Sequence, residues 1–359
     1  MELNLDVFNY KDKLPEQRKL FVECFPENIG TPVIEVKHYL WKFHSFPSKP
    51  ASFEYAALND GELIGYYAAI PYSYNVNGAI HTVGMVCDVM TGVKARGKGV
   101  FTKLGRYSIK SLQNEGISFT TGYPIRPEVI PGHKKVGWSF PFELPMYGKF
   151  LSFKSFFKSK RLSNLTFFAN GILKITNNTI SLFRKKSANI NIEVYNQHDV
   201  DLIIGLNDFF EKVSNEVPIY LNKNSLYLKW RLGAPKKEYS IIVLRDKGEI
   251  VGYSVSRKVL KQNVYCWGIL DIAILKGYEK NASMLYSKNE ELARKSGAEL
   301  ILTMIGRKWA KIFKFKKNGY IRTPYKFSFI INKLNPDLSD KMLLDERNWH
   351  LMWIDSDDL

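Results

Sequence analysis

The sequence predicts a mixed α/β protein assembled from two copies of one αβ unit. Three observations carry that expectation: a strand, glycine turn and helix in succession near residues 86–112, a set of short motifs that occurs twice in the same order, and a composition able to furnish two cores. With 359 residues, 45% of them hydrophobic and 14% aromatic, the chain exceeds one ordinary domain and is not of disordered composition.

The passage Asp88–Leu104, DVMTGVKARGKGVFTKL, is the plainest local signal. Val86, Val89 and Met90 suit a buried strand, Arg96-Gly97-Lys98-Gly99 breaks it, and Val100, Phe101, Leu104 and Ile109 resume at helical spacing. Such a turn aims several backbone N–H groups at one point in front of a helix N-terminus. There the unpaired amides and the helix dipole favour an anion, commonly a phosphate. Glycine allows close approach because no Cβ intervenes, and Arg96 and Lys98 add phosphate-pairing cations. The turn is neither GxxxxGK[ST] nor GxGxxG, and alone it is equally compatible with a basic turn that holds no ligand.

The duplication is read by laying the chain on itself. Glu62-Leu63-Ile64-Gly65-Tyr66 is echoed by Glu249-Ile250-Val251-Gly252-Tyr253, and Asp88-Val89-Met90 by Asp271-Ile272-Ala273. Asn114-Glu115-Gly116 is echoed by Lys295-Ser296-Gly297, and HKKVGW at 133–138 by FKKNGY at 315–320. The first and last glycines of the series lie 72 residues apart in one copy (65 to 137) and 67 in the other (252 to 319). The second copy has Lys276-Gly277-Tyr278-Glu279-Lys280-Asn281 at the turn, with one glycine and a carboxylate that would repel a diphosphate. Anion binding is therefore expected of the first copy alone. The expected division is 1–148, a connector 149–190, a second domain 191–333 and a tail 334–359.

The rest of the chain sets limits. A net charge of +17 favours anionic partners. Three dispersed cysteines (Cys24, Cys87, Cys266) fit neither a disulfide framework nor a zinc site and suit a reducing cytoplasm. The six histidines lack ligand spacing, so no metal is expected. The first residues lack the apolar core of a signal peptide, and no run of 18 apolar residues could span a bilayer. The connector Lys149–Ser187 interleaves Phe and Lys and ends in Arg184-Lys185-Lys186. It reads either as a helical link with phenylalanines packed and lysines solvated, or as an amphipathic face for peripheral contact with an anionic membrane. In the tail, Trp349 and Trp353 suit anchoring to a domain.

The sequence RGKGVFTKL resembles motif A of the GNAT superfamily of CoA-dependent N-acyltransferases, R/Q-x-x-G-x-G/A, at Arg96 and Gly99, with Phe101 where the family usually has a small residue. The hairpin Gly61–Tyr66, the strand Ile117–Gly122 and the helix end His133–Trp138 resemble further landmarks of that family in the same order. The resemblance covers roughly residues 50–140. It implies two GNAT-like domains, each a central twisted mixed β-sheet flanked by helices, in a layout similar to tandem acyltransferases of bacterial surface polysaccharide synthesis.

What the resemblance implies for chemistry is an N-acyltransferase using acetyl-CoA or another acyl-CoA. Backbone amides over Arg96, Gly97, Lys98, Gly99, Val100, Phe101 and Thr102 would hold the pyrophosphate. An N–H near Met90 or Thr91 would bond the thioester oxygen. Asp88 is the candidate general base for an amine that is mostly protonated near pH 7. His133 stands where the family often has an acid tyrosine, and Tyr123 is the alternative donor. The acceptor is expected to be a small amine, such as a free or nucleotide-linked amino sugar, with no nucleic acid partner. Two other readings stay open: a tRNA-dependent aminoacyltransferase of the peptidoglycan-bridge type, and a non-catalytic acyl-CoA-binding module.

Overall fold

The computed structural model describes residues 2–155, 163–182, 189–261 and 263–357. The chain forms two compact units. The first comprises Met1–Phe142, Gly233–Lys236 and Ser328–Asp345, and the second Glu143–Leu232, Lys237–Phe327 and Glu346–Leu359.

In the first unit, β1 (Asn4–Val7), α1 (Tyr10–Cys24) and α2 (Val36–His44) precede a meander of β2 (Phe53–Asn59), β3 (Glu62–Val76) and β4 (Ala79–Thr91). Then follow α3 (Val100–Asn114), β5 (Phe119–Gly122), α4 (Ile130–Lys135) and the start of β6 (Ser139–Phe150). The sheet order is β1-β2-β3-β4-β5 with the end of β13 (Ile321–Lys333) beyond β5, where Ile330–Lys333 pair antiparallel with Gly122–Phe119. Along this order β4 pairs parallel with β5, and the other neighbours pair antiparallel. Helices α1 and α3 pack on β3 and β4, so β3 is buried along almost its whole length and reads as a continuous apolar run. Val100, Leu104 and Leu112 of α3 meet Ala57, Tyr67 and Ala69, and each such large side chain contributes about 1.5–3 kcal/mol on burial. The last turn of α3 closes in a Schellman motif: Gly116, at φ 77°, donates to Gln113 O and Ile117 donates to Leu112 O.

The second unit repeats this order with other residues. It holds α5 (Ser163–Leu182), β7 (Ile190–Asn196), α6 (Leu206–Asn215), β8 (Ile219–Leu221) and α7 (Ser225–Leu232). A second meander of β9 (Ser240–Asp246), β10 (Glu249–Lys261) and β11 (Val264–Ile274) leads to α8 (Ala282–Lys295), β12 (Leu300–Met304) and α9 (Arg307–Ile312). Its sheet order, β7-β9-β10-β11-β12-β6, again has one parallel pair, β11 with β12. Helix α8 ends in the same Schellman bonds, Gly297 to Arg294 O and Ala298 to Ala293 O. Trp349 and Trp353 are buried within this unit. Among the described residues no helix is long and apolar enough to cross a membrane.

The units part the chain elsewhere than at 148, 190 and 333. The change falls inside β6, whose Met146–Phe150 pair with Met304–Leu300 in the second unit, and inside β13, whose last residues complete the first. The strand beside β5 and the strand beside β12 thus both come from distant parts of the chain. The tail is likewise divided: the short helix α10 (Asp340–Leu343) belongs to the first unit and residues from Glu346 to the second. Of the connector, 156–162 and 183–188 (with Arg184-Lys185-Lys186) lie outside the described residues, as does Asp358 of the tail.

Candidate active site

The turn between β4 and α3 begins with Gly92, whose N–H donates to Ile64 O at 2.9 Å, and Val93, whose N–H donates to Glu23 Oε1 at 2.6 Å. A short 3₁₀ turn over Val93–Ala95 follows, and then Arg96, Gly97, Lys98 and Gly99 lie exposed. Gly97 and Gly99 have φ of 74° and 78°, the left-handed region that glycine enters without strain, and a Cβ at either would meet nothing within 4 Å. Lys98 donates to Ala95 O, but among the described residues none accepts from the N–H of Gly97, Gly99, Val100, Phe101 or Thr102. The first turn of α3 thus presents open amides, with the Arg96 and Lys98 side chains beside them. This is the arrangement a diphosphate fits.

Beneath the turn, β4 outruns its neighbour. Its last residue paired with β5 is Met85, opposite Thr121, and the strand continues from Val86 to Thr91. That length of edge can bond an extended, amide-bearing chain such as the pantetheine arm of CoA. Met90 is buried opposite Tyr66, and Thr91, opposite Gly65, has its Oγ1 buried without a hydrogen-bond partner. The Thr91 carbonyl accepts from Arg96 Nε at 3.3 Å and Cys24 Sγ at 3.5 Å. The residues present fit an acyl-CoA.

A bulge breaks the β3–β4 register between Tyr66 and Ala68, and Asp88 sits in it with φ 48°. The bulge re-aims the carboxylate out of the strand's alternation, at the cost of a backbone conformation that Asp tolerates better than most residues. Asp88 Oδ1 accepts from Lys42 Nζ of α2 at 2.8 Å, and both side chains keep about a tenth of their surface exposed. Close by in the sheet lies a second polar group. The buried Glu54 carboxylate accepts from the hydroxyls of Tyr39 and Tyr66 (2.5 Å for the latter) and from Ser52 Oγ at 2.8 Å, with His44 Nε2 at 3.2 Å. Burial first, and then the Glu54 charge, push the Tyr39 and Tyr66 phenols well up, so both act as neutral donors. Glu54 therefore ties α2 to the sheet and fixes the helix that carries Lys42.

His133 closes α4, edge-on to Phe101 (5.1 Å between ring centres) and Trp138 (5.5 Å). Burial pushes its pKa down to about 4, so the ring is neutral at pH 7 and packs rather than supplying a proton from the imidazolium. Phe101 fills space that another residue would claim: a Cβ on Gly132 would come within 2.6 Å of its ring. Tyr123 follows β5 directly, buried, with its ring 5.5 Å from Phe329. The expected site residues thus divide into the turn, the β4 edge with Asp88, and a packed group around α4. Lys42, Tyr39, Tyr66 and His44 went unread in the sequence, since no local spacing joins α2 to the meander. A shallow groove of about 460 Å³ lined by Leu3, Leu5, Lys103, Arg106, Tyr107 and Lys110 includes none of these groups.

Residues 10–140 match the family described as Acetyltransferase (GNAT) domain. Over this stretch the chain is similar to a GNAT acetyltransferase domain. Three solved structures share the fold across 93% of this chain: a probable N-acyltransferase of unknown function from Enterococcus faecalis V583 (TM-score 0.65, 12% identity, 73% of that chain), a GCN5-related N-acetyltransferase from Anabaena variabilis ATCC 29413 (0.65, 10%, 73%) and another from Kribbella flavida (0.62, 11%, 71%). No curated protein matches the chain. The GNAT domain accounts for the first unit's turn and meander, and an acyltransferase is the enzyme they support.

Outside the GNAT match, the second unit builds the corresponding turn and closes it. Leu275 donates to Val251 O and Lys276 to Glu216, as Gly92 and Val93 do in the GNAT domain. Then Gly277 donates to Glu279 Oε2 at 3.1 Å and Asn281 to Tyr278 O at 2.8 Å. The backbone there has its own anion.

Proposed function

We propose that the protein is an acyl-CoA-dependent N-acyltransferase whose GNAT domain is the working half of a tandem, the second unit being a degenerate copy. The single observation that supports this is the open run of amides from Gly97 to Thr102 set against the self-capped turn of the second unit. Acetyl-CoA or a related donor supplies, when bound, a thioester carbon open to an amine. The N–H groups of that run, with Arg96 and Lys98, would hold its diphosphate, and a backbone N–H at Met90 or Thr91 would bond the carbonyl oxygen where charge develops. Asp88, positioned by Lys42, is the group that takes a proton from the acceptor's ammonium. His133 is neutral and buried, so the donor to the departing sulfur is assigned to Tyr123.

The acceptor class proposed is an amino sugar, free or nucleotide-linked. Titration of the chain with acetyl-CoA by calorimetry, followed by thiol release against a panel of amino sugars, tests both parts. Binding at one site per chain, lost in Gly99→Glu, is the expected result. Failure to bind ends the acyl-CoA reading and favours an aminoacyl-tRNA donor; binding without release on any amine favours a sensor.

A further inference from the structure

Helix α1 brings a second cation into the neighbourhood of Asp88. Arg18 is half-buried, with its guanidinium over the Phe21 ring at 4.5 Å and the Tyr39 ring at 5.1 Å. Two aromatic contacts of this kind hold the planar group in place. Its bonded nitrogens go to uncharged acceptors: Nε donates to Gln17 Oε1 at 2.7 Å and Nη1 to Val33 O at 3.3 Å. Among the described residues none accepts from Nη2, and no carboxylate pairs with the guanidinium. The two carboxylates in reach are engaged elsewhere, Asp88 with Lys42, and Glu54 with Tyr39, Tyr66, Ser52 and His44. Burial lowers the Arg18 pKa from its ordinary value, and Asp88, with the Glu54 group behind it, offsets only part of that.

An arginine has five donors, and one withdrawn from water ordinarily meets a carboxylate or a phosphate. Arg18 keeps one nitrogen of its fork open for such a group. Its place narrows what that group belongs to. Tyr39, on which the guanidinium lies, is one turn of α2 from Lys42, and Lys42 holds the carboxylate assigned to the acceptor's ammonium. An acceptor whose amine meets Asp88 therefore has Arg18 beside it. We propose that Arg18 is a specificity-determining residue, which binds an acid group, phosphate or carboxylate, that the acceptor amino sugar carries near its amine. A neutral amino sugar leaves the fork unpaired. The part Arg18 plays in acceptor choice rests on the N-acyltransferase reading, whereas anion binding at Arg18 does not.

The test is calorimetry with glucosamine, glucosamine 6-phosphate and muramic acid, which sets a neutral amino sugar against a phosphate and a carboxylate. It is run on the full chain saturated with coenzyme A and on Gly99→Glu, so that the turn before α3 does not seat the phosphate. The expected result is binding of one or both acids at least about tenfold tighter than glucosamine. Which acid binds names the group. Arg18→Gln should bring that acid down to the level of glucosamine, with circular dichroism matching the parent. Arg18→Lys keeps the charge without the planar fork and should also weaken the acid; it takes the place of Arg18→Gln if that variant fails to fold. Equal binding of all three sugars, binding of none, or variants that hold the acid as the parent does each overturn the proposal. A chain that prefers the acids yet binds no acetyl-CoA keeps Arg18 as an anion seat and ends the acyl-CoA reading alone.

Discussion

Two turns built on one plan reach opposite ends. In the first unit, Gly92 and Val93 are fastened to Ile64 O and Glu23, after which two left-handed glycines leave a row of amides open. In the second, Leu275 and Lys276 are fastened in the same manner, and then Glu279 folds its carboxylate onto the Gly277 N–H. One side chain does in the second unit what a diphosphate is expected to do in the first. The acidic residue beside each strand end differs in the same sense. Asp88 pairs with Lys42 and keeps access to solvent, whereas Lys223 is wholly buried between Asp271 at 2.8 Å and Asp355 at 3.1 Å. Two units with the same order of elements can therefore share a frame while one satisfies its polar groups internally.

The comparison can be broken most directly at the base. Asp88→Asn should lower kcat by roughly 10²–10⁴-fold, read as thiol release at saturating donor. Retained activity would remove Asp88 from the chemistry. Next, Gly99→Glu should weaken acetyl-CoA binding by about 100-fold or more, since it imports the second turn's carboxylate into the first. The reciprocal Glu279→Gly should leave calorimetric stoichiometry at one per chain; a second site would show that the two turns differ by that residue alone.

Stability gives the next effects. Lys223→Met leaves two buried carboxylates facing each other and should cost about 3–5 kcal/mol in urea unfolding, while Asp271→Asn, which leaves one Lys with one Asp, should cost far less. The pH dependences oppose one another. Burial of His133 sets its folded pKa near 4, below the usual 6.5, so that stability is present above 6.5 and falls as pH drops toward 4, by up to about 3 kcal/mol. His133→Phe should flatten that loss. Burial raises Asp271 from 3.8 to about 6, so its contribution runs the other way and stability falls as pH rises through that window. Smallest is Gly132→Ala, whose Cβ meets the Phe101 ring; a cost of about 1–3 kcal/mol is expected, relieved by combining it with Phe101→Ala.

What could be read in advance had local causes. Glycine positions announced both Schellman ends, Gly116 and Gly297, and the break at Arg96–Gly99 announced the strand-to-helix turn, because backbone geometry there depends on a few adjacent residues. The Lys42–Asp88 pair did not announce itself, since 46 residues separate its members and either alone looks like a surface charge. Nor did the left-handed Asp88, whose bulge depends on how β3 and β4 are paired. The resemblance sets His133 where an acid tyrosine is expected, whereas Phe101 and Trp138, which pack against its ring, meet it only in the folded domain. The boundary at 148 followed composition, whereas β6 passes from one unit to the other without any change of pattern.

That passage has a consequence for synthesis. The N-terminal unit lacks the strand beside β5 until Ile330–Lys333 leave the ribosome, long after the GNAT match has been made. A nascent chain halted after the GNAT match would expose the open edge of β5, and a gene truncated there should yield an insoluble fragment rather than a smaller working enzyme.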